Sequence, residues 1–322
     1  MQAAAHAGYI LAGLLTVKRQ MKILLTGSNG LLGQKLVARL HQEPGVELVA
    51  TSRGANKLDA HFPAVRFVPL DVSSATQVQQ VLAREQPTHV VHTAAITNAD
   101  ECELHRATCW QHNVSAVKHL ATTCAALDIH LTHLSTDFVF SGEAGPLAED
   151  AVPAPINFYG ESKLAAEHLV QASPGRWAIA RTVLVYGVAH NYGRTNLVLW
   201  VRDSLRAGQP IKVVADQWRT PTLAEDLAEG CWLLARQAAR GVYHLSGDEF
   251  ITPYDLALRV AAHFNLDATL IERVDASSFS QPARRPARTG FRIEKARREL
   301  GYQPHSLAEG IELVSRQRDN SQ

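Results

Sequence analysis

The chain has 322 residues, 46% of them hydrophobic and 20% charged, a globular composition that excludes disordered and fibrous classes and gives length for one large α/β domain with a smaller companion. Its 32 Lys and Arg nearly cancel its 31 Asp and Glu, so no overall field favours nucleic acid or an anionic membrane, and an anionic ligand must be held by local groups. Cys102, Cys109, Cys124 and Cys231 form no Cys-x-x-Cys pair in a chain too large to need disulfide staples, which points to reduced thiols in a cytoplasmic protein.

The apolar run from Tyr9 to Val17 is too short to span a bilayer and follows no basic segment; Lys18 and Arg19 come after it instead. Residues 1–20 are therefore expected to be an extension outside the fold, either disordered or the product of a mis-set start, with Met21 opening the first element. Ile23 to Leu25 then read as a strand, Thr26-Gly27 as a break, and Leu31 to Leu40 as an amphipathic helix. Further strands are expected at Glu47–Ala50, Arg66–Leu70, His89–His92, His130–Leu134 and Trp177–Ala180, with helical stretches between most of them. Repeated β-α units of this length force parallel pairing through right-handed crossovers, so the fold class is α/β, a doubly wound parallel sheet of the Rossmann kind. Beyond Gly187 the alternation loosens into a helix at Asn196–Ala207, an extended piece at Ile211–Val214, a helix at Leu223–Ala239 and a strand at Gly241–Leu245 that should rejoin the sheet. We expect residues 21–187 and about 209–250 to form the Rossmann domain, and about 188–208 with 251–322 a smaller substrate-binding domain capping the sheet's carboxyl edge.

Three glycines, Gly27, Gly30 and Gly33, sit where the first strand turns into the first helix. Such a turn needs one glycine for the tight bend, one for close approach of backbone to a pyrophosphate and one for close packing of helix on sheet. The N–H groups around Asn29, Leu31 and Leu32 would meet the anion at the helix N-terminus. The spacing is G-x-x-G-x-x-G rather than the G-x-G-x-x-G of many dehydrogenases; a bare flexible loop is the alternative. About 20 residues on, where NAD-selective sites carry a carboxylate for the ribose 2′-hydroxyl, stand Thr51-Ser52-Arg53. Arg53 can fork onto a 2′-phosphate with Ser52 donating, which favours NADPH and leaves NADH open; the alternative is a solvated loop arginine. Asp71, followed by Val72 at the end of the third strand, is placed to accept from the adenine amino group.

Ser135-Thr136-Asp137 ends the fifth strand, at the edge where open α/β sheets bind ligands. Tyr159 and Lys163, four apart at a helix start, share one face and can point at one reacting centre, although an exposed helix pair gives the same spacing. An ammonium about 5 Å from the phenol, at an effective dielectric near 20, is worth roughly 3 kcal/mol and should lower its pKa by about two units toward neutrality. His89, His92, His130 and His133 lack a Cys or carboxylate at ligand spacing, so they read as structural and no metal is expected. Arg284, Arg285 and Arg288 either bind a diphosphate or form a solvated basic tail.

From Met21 onward the chain resembles the extended short-chain dehydrogenases/reductases, most closely the dTDP-4-dehydrorhamnose reductase family. The resemblance is carried by the glycine turn, by Ala94-Ala95-Ile96-Thr97-Asn98-Ala99-Asp100 with Glu103, and by Ser135-Thr136-Asp137-Phe138-Val139-Phe140. Tyr159 with Lys163, Arg181-Thr182, Val185-Tyr186-Gly187, Thr220-Pro221-Thr222 and Arg285-Pro286 extend it over nearly the whole chain. It implies NADPH-dependent reduction of a keto group, the 4-keto group of a deoxysugar nucleotide. Thr136, Tyr159 and Lys163 match the family's catalytic positions and Asn113 the asparagine that supports a proton-relay water. Ala94, Ala95 and Thr97 would line the cofactor, and Thr136, Asp137, Asn196 and Arg285 the substrate. Phe138 stands where relatives carry Tyr and Ala99 where Val is common, which leaves the substrate open. Two alternatives share the pattern: a cofactor-binding regulatory subunit resembling the methionine adenosyltransferase beta subunit, and a sugar-nucleotide epimerase or dehydratase, for which Asp137 would supply the extra carboxyl. The expected partner is a small nucleotide sugar, with neither nucleic acid nor membrane, and a homodimer is allowed.

Overall fold

The computed structural model describes residues 20–190 and 195–319. The stretch Tyr9–Val17, on which the expectation of an extension rests, lies outside them.

Seven strands form one parallel sheet: β1 (Met21–Thr26), β2 (Val46–Ser52), β3 (Arg66–Pro69), β4 (His89–His92), β5 (His130–Thr136), β6 (Trp177–Thr182) and β7 (Gly241–His244). Their order is β7-β6-β5-β4-β1-β2-β3, so the chain reverses direction across the sheet between β1 and β4. That reversal opens a crevice at the carboxyl ends of β1 and β4, the general ligand site of such sheets. The expected return of Gly241–Leu245 to the sheet is present, with Val242 paired to Ile179 beside β6.

Alternation along β1 divides the core. Ile23 and Leu25 point to one face, where Leu36, Val37 and Leu40 of the first helix pack with Leu227, Cys231 and Leu234 of the helix Ala224–Arg236. Leu24 points to the other, among Val78, Leu82, Val117, Leu120, Ala166 and Val170. Strand residues sandwiched this way have no wet face, which is why these strands read as unbroken apolar runs.

A smaller unit packs beside the carboxyl edge. Val198, Val201 and Leu205 of the helix Leu197–Arg206 meet Leu256, Val260, Ile311 and Val314. Ile211–Val214 belongs to this cluster and pairs in parallel with Ile271–Val274, not with the central sheet. The tail then crosses back, and Phe291, Ile293, Leu300 and Tyr302 join the first sheet face. Among the described residues no helix is long and apolar enough to cross a membrane.

Candidate active site

The glycine turn has the geometry its spacing asks for. Gly27 has φ +74, and a Cβ there would lie 2.7 Å from the Thr93 hydroxyl and 2.8 Å from Ala94 N. A Cβ on Gly33 would lie 2.1 Å from the Gly27 carbonyl, so this residue sets how closely helix meets turn. Gly30 is the N-cap of a ten-residue helix that no side chain caps, which leaves the N–H groups at Leu31 and Leu32 without a capping partner and aims a partial positive charge into the crevice. An unfilled helix end with small residues on its approach fits a pyrophosphate.

The Asn29 amide joins this turn to the end of β2: Nδ2 donates to Ser52 Oγ at 2.8 Å and to Ala55 O at 2.9 Å, while Oδ1 accepts from Lys57 N at 3.1 Å. Arg53, held on that loop, is exposed, with Nη1 3.4 Å from His112 Nε2. Asp71 sits nearby. Partial burial opposes its ionisation, but hydrogen bonds from Ser73 and the Arg53 charge leave the carboxyl below its ordinary value. Both Ser73 bonds fall on Oδ1. Val72 is buried, Ala94 and Ala95 are half-buried beside the turn, and Thr97 is exposed.

Tyr159 and Lys163 lie on the helix Phe158–Gln171, whose start is fixed from three sides. Asn157 caps it by accepting from Gly160 N at 2.8 Å and donates to Arg284 O at 2.7 Å; Glu103 Oε2 accepts from Phe158 N at 3.0 Å. Gly160 lets the helix touch the turn Asp137–Val139, since a Cβ there would lie 2.1 Å from Phe138 O. The Tyr159 hydroxyl reaches the Thr136 hydroxyl, and Lys163 Nζ donates to Leu134 O at 2.6 Å and contacts His133 Nε2 at 3.3 Å. Both catalytic candidates are buried, Tyr159 at 8% exposure and Lys163 at 3%.

The electrostatics differ from expectation. Burial pushes the Tyr159 phenol up rather than down, with the Thr136 hydrogen bond only partly opposing it. The cause is desolvation of the phenol itself, with the Asp137 carboxylate adding to it. The Lys163 ammonium donates to Leu134 O and contacts His133, and burial lowers it to about 8, against the opposing pull of Glu167. Burial thus outweighs the phenol-lowering shift expected from sequence. The resting tyrosine is a protonated acid.

Other expected contacts are also redistributed. Arg285 is bidentate to Asp100, at 2.7 and 2.6 Å, so its fork is occupied by a carboxylate and not left for a diphosphate. Asn196 caps the helix Leu197–Arg206, accepting from Leu199 N and donating to Gly187 O at 2.7 Å, so both ends of its amide already have a backbone partner. Asn113 lies in a π-turn, Gln111–Ser115, where Oδ1 accepts from Ile96 N and Nδ2 donates to Ile96 O and Ser162 Oγ. Its side chain therefore pins the loop after β4 to the Tyr–Lys helix. Asp137 accepts from the Thr136 and Thr289 hydroxyls and lies 3.6 Å from Arg219 Nε. Burial raises its carboxyl, with Arg219 the largest opposing influence. Among the described residues no group of three His, Cys, Asp or Glu is placed to hold a metal.

A parallel Rossmann sheet with a Thr–Tyr–Lys cluster at its carboxyl edge defines the extended short-chain dehydrogenase/reductase class. The chain belongs to the RmlD substrate binding domain family, whose model matches residues 21–319. It is 34% identical over 284 residues to a dTDP-4-keto-6-deoxy-D-glucose reductase of Streptomyces niveus, covering 87% of this chain and 91% of that protein. It is 28% identical over 261 residues to methionine adenosyltransferase 2 subunit beta of Bos taurus, covering 80% and 76%. Among solved structures, dTDP-4-dehydrorhamnose reductase of Bacillus anthracis, in complex with NADP, superposes with a TM-score of 0.79 at 28% identity, covering 92% of this chain and 99% of that one.

Several site residues were not legible in the sequence. His133 was read as purely structural, and His112, Arg219 and Thr289 carried no local signal, because their roles come from contacts with segments far away in the chain. Gly160 had one: a glycine in the first turn of a helix, where it weakens the helix, asks for a packing reason.

Proposed function

We propose that this protein is an NADPH-dependent reductase acting on the 4-keto group of a deoxysugar nucleotide. The carrying observation is that Tyr159 meets Thr136 at the carboxyl end of β5, with Lys163 one helical turn further along the same helix. Bound there, NADPH would supply the hydride for the keto carbon. Tyr159, kept protonated by burial, donates its proton to the oxygen that becomes negative, and the Thr136 hydroxyl hydrogen-bonds the same oxygen. Lys163 holds the nicotinamide ribose, and Arg53 takes the 2′-phosphate. Ile96, Ala94, Ala95 and Thr97 wall the crevice. Membership of the family and the names of its reductases support the substrate class. The same reading takes the protein as cytoplasmic, with its four buried thiols reduced.

The test is NADPH oxidation, followed at 340 nm, against a panel of 4-keto nucleotide sugars. Turnover with one of them is expected. The relationship to an adenosyltransferase beta subunit supports a second reading, a cofactor-binding regulatory subunit, which takes over if NADPH binds tightly and no member of the panel is reduced.

A further inference from the structure

Lys163 does not hang free over the crevice. An ammonium has three N–H donors, and two are used inside the sheet, one on Leu134 O and one on His133 Nε2. His133 is fully buried on β5, directly across from His92 on β4; the rings stack at 5.5 Å with an interplanar angle of 21°, and His92 Nδ1 is 2.7 Å from the Thr26 hydroxyl. Burial keeps both imidazoles neutral, His92 down at about 3 and His133 well below its ordinary value. With the ammonium donating, Nε2 of His133 must be the acceptor and its proton sits on Nδ1, which has no hydrogen-bond partner in the structure, nor has Nε2 of His92. The fold thus bears two orphaned ring nitrogens beneath the catalytic lysine. Apolar side chains would fill these two positions at lower cost if packing were all they supplied.

We infer that His133, backed by His92 and the Thr26 hydroxyl, is a positioning residue that takes one ammonium hydrogen of Lys163 and leaves a single N–H directed at the nicotinamide ribose. This rests on the proposed reductase reading. Two fixed acceptors define the direction of the third N–H, as a tripod does. They also favour the charged lysine inside a dry site, because a neutral imidazole accepts a hydrogen bond better from an ammonium than from an amine. The other groups facing Lys163 do not replace His133. Glu167, one turn along the same helix, is bound to Arg181 on both oxygens, and Tyr159 is protonated. Cys102 and Cys109, on the neighbouring helices, make no hydrogen bond to Nζ; Cys109, bonded to Ser162, is lowered to about 7 chiefly by its contact with Cys102, so its ionisation falls below the alkaline limb set by the lysine.

The test compares wild type with His133→Leu, which removes the acceptor, and His133→Gln, whose Oε1 reaches about as far as the imidazole Nε2. NADPH dissociation constants are measured by fluorescence from pH 7 to 10, together with the pH profile of kcat/KM on the substrate found in the panel. In wild type, binding and turnover should weaken as pH rises through about 8. In His133→Leu this alkaline limb should move down by about one pH unit and NADPH affinity at pH 7 should drop several-fold, a charge-assisted hydrogen bond being worth at least that much. His133→Gln should restore both. If His133→Leu does not fold, His133→Asn, whose acceptor falls short of Nζ, takes its place with the same expected shift. An alkaline limb that stays put, or one that moves equally in the Gln variant, overturns the inference and leaves His133 as packing. The NADPH titration needs no substrate, so absent turnover counts against the reductase reading and not against this one.

Discussion

Glu167 and Arg181 form a buried bidentate ion pair: the two N–O distances are 2.9 and 2.7 Å, Glu167 is fully buried, and Arg181 is 3% exposed. The pair bolts the Tyr–Lys helix to β6. Removing one member strands the other charge, which typically costs about 3–5 kcal/mol. Glu167→Ala should therefore lower the unfolding free energy from urea titration by that amount, seen as a lower midpoint with the slope unchanged. A loss below about 1 kcal/mol would mean that Arg181 finds water or another acceptor.

Gly160→Ala places a methyl group 2.1 Å from the Phe138 carbonyl and 2.9 Å from Pro155 Cβ, and neither is the end of a flexible chain. The helix start must shift away from the Asp137–Val139 turn, carrying Tyr159 away from Thr136. We expect a loss of about 1–3 kcal/mol, the usual range for overpacking, with turnover falling at least tenfold. Circular dichroism melts beside steady-state rates separate the two effects.

Tyr159→Phe keeps the ring that packs edge-on against Phe138 and removes only the hydroxyl. Reduction should slow by about 10²–10⁴-fold, the usual contribution of a general acid, with NADPH affinity nearly unchanged. Because burial raises the wild-type phenol, its own deprotonation should not appear in the rate profile below pH 10. Full turnover by the variant would remove Tyr159 from the mechanism.

Arg53→Ala should shrink the preference for NADPH over NADH by about tenfold or more, since a charge-assisted contact to phosphate contributes about 1.5–3 kcal/mol. The ratio of kcat/KM for the two cofactors measures it. Equal values for both in the wild type would mean that Arg53 is only a solvated loop residue.

Acid stability should report on Glu85. It accepts two bonds from Arg66 at 2.9 Å each and one from Arg84, and Arg66 above all holds its carboxyl at about 2 against an ordinary 4.5. A carboxyl lowered in the folded state stabilises above its unfolded pKa, and that share is lost as pH falls from about 4.5 to 2. Glu85→Gln should be less stable at pH 7 and should lose less on acidification through that window. Parallel stability curves for the two proteins across the window would contradict the assignment.

What could be read from sequence follows from how local each signal is. The strands β1 and β6 are buried on both faces and announce themselves as mostly apolar runs, β4 keeps a short apolar pair and β5 single leucines between polar residues, and the glycine turn and the Tyr–Lys spacing each span only a few residues. The pairing of Ile211–Val214 with Ile271–Val274 joins segments sixty residues apart and left no trace in either one. Arg285 is a diphosphate candidate on its chemistry and its family resemblance alone; the carboxylate that takes its fork, Asp100, comes from the other half of the chain. The direction of the Tyr159 shift failed for a different reason. Sequence places Tyr159 and Lys163 on one face of the helix but does not show that the phenol is buried deeply enough for desolvation to set the sign of its shift.

The return of the tail to the sheet sets an order in which the two halves of the site come into being. The groups proposed to meet the cofactor, from Gly27 to Lys163, leave the ribosome first. Thr289, which bonds Asp137, and the Arg284 carbonyl, which holds Asn157, come more than a hundred residues after Lys163. Domains tend to fold from the N-terminus as they are synthesised. A nascent chain can thus own a nucleotide crevice while the wall against its substrate is still being translated, and the final segment locks an edge already formed.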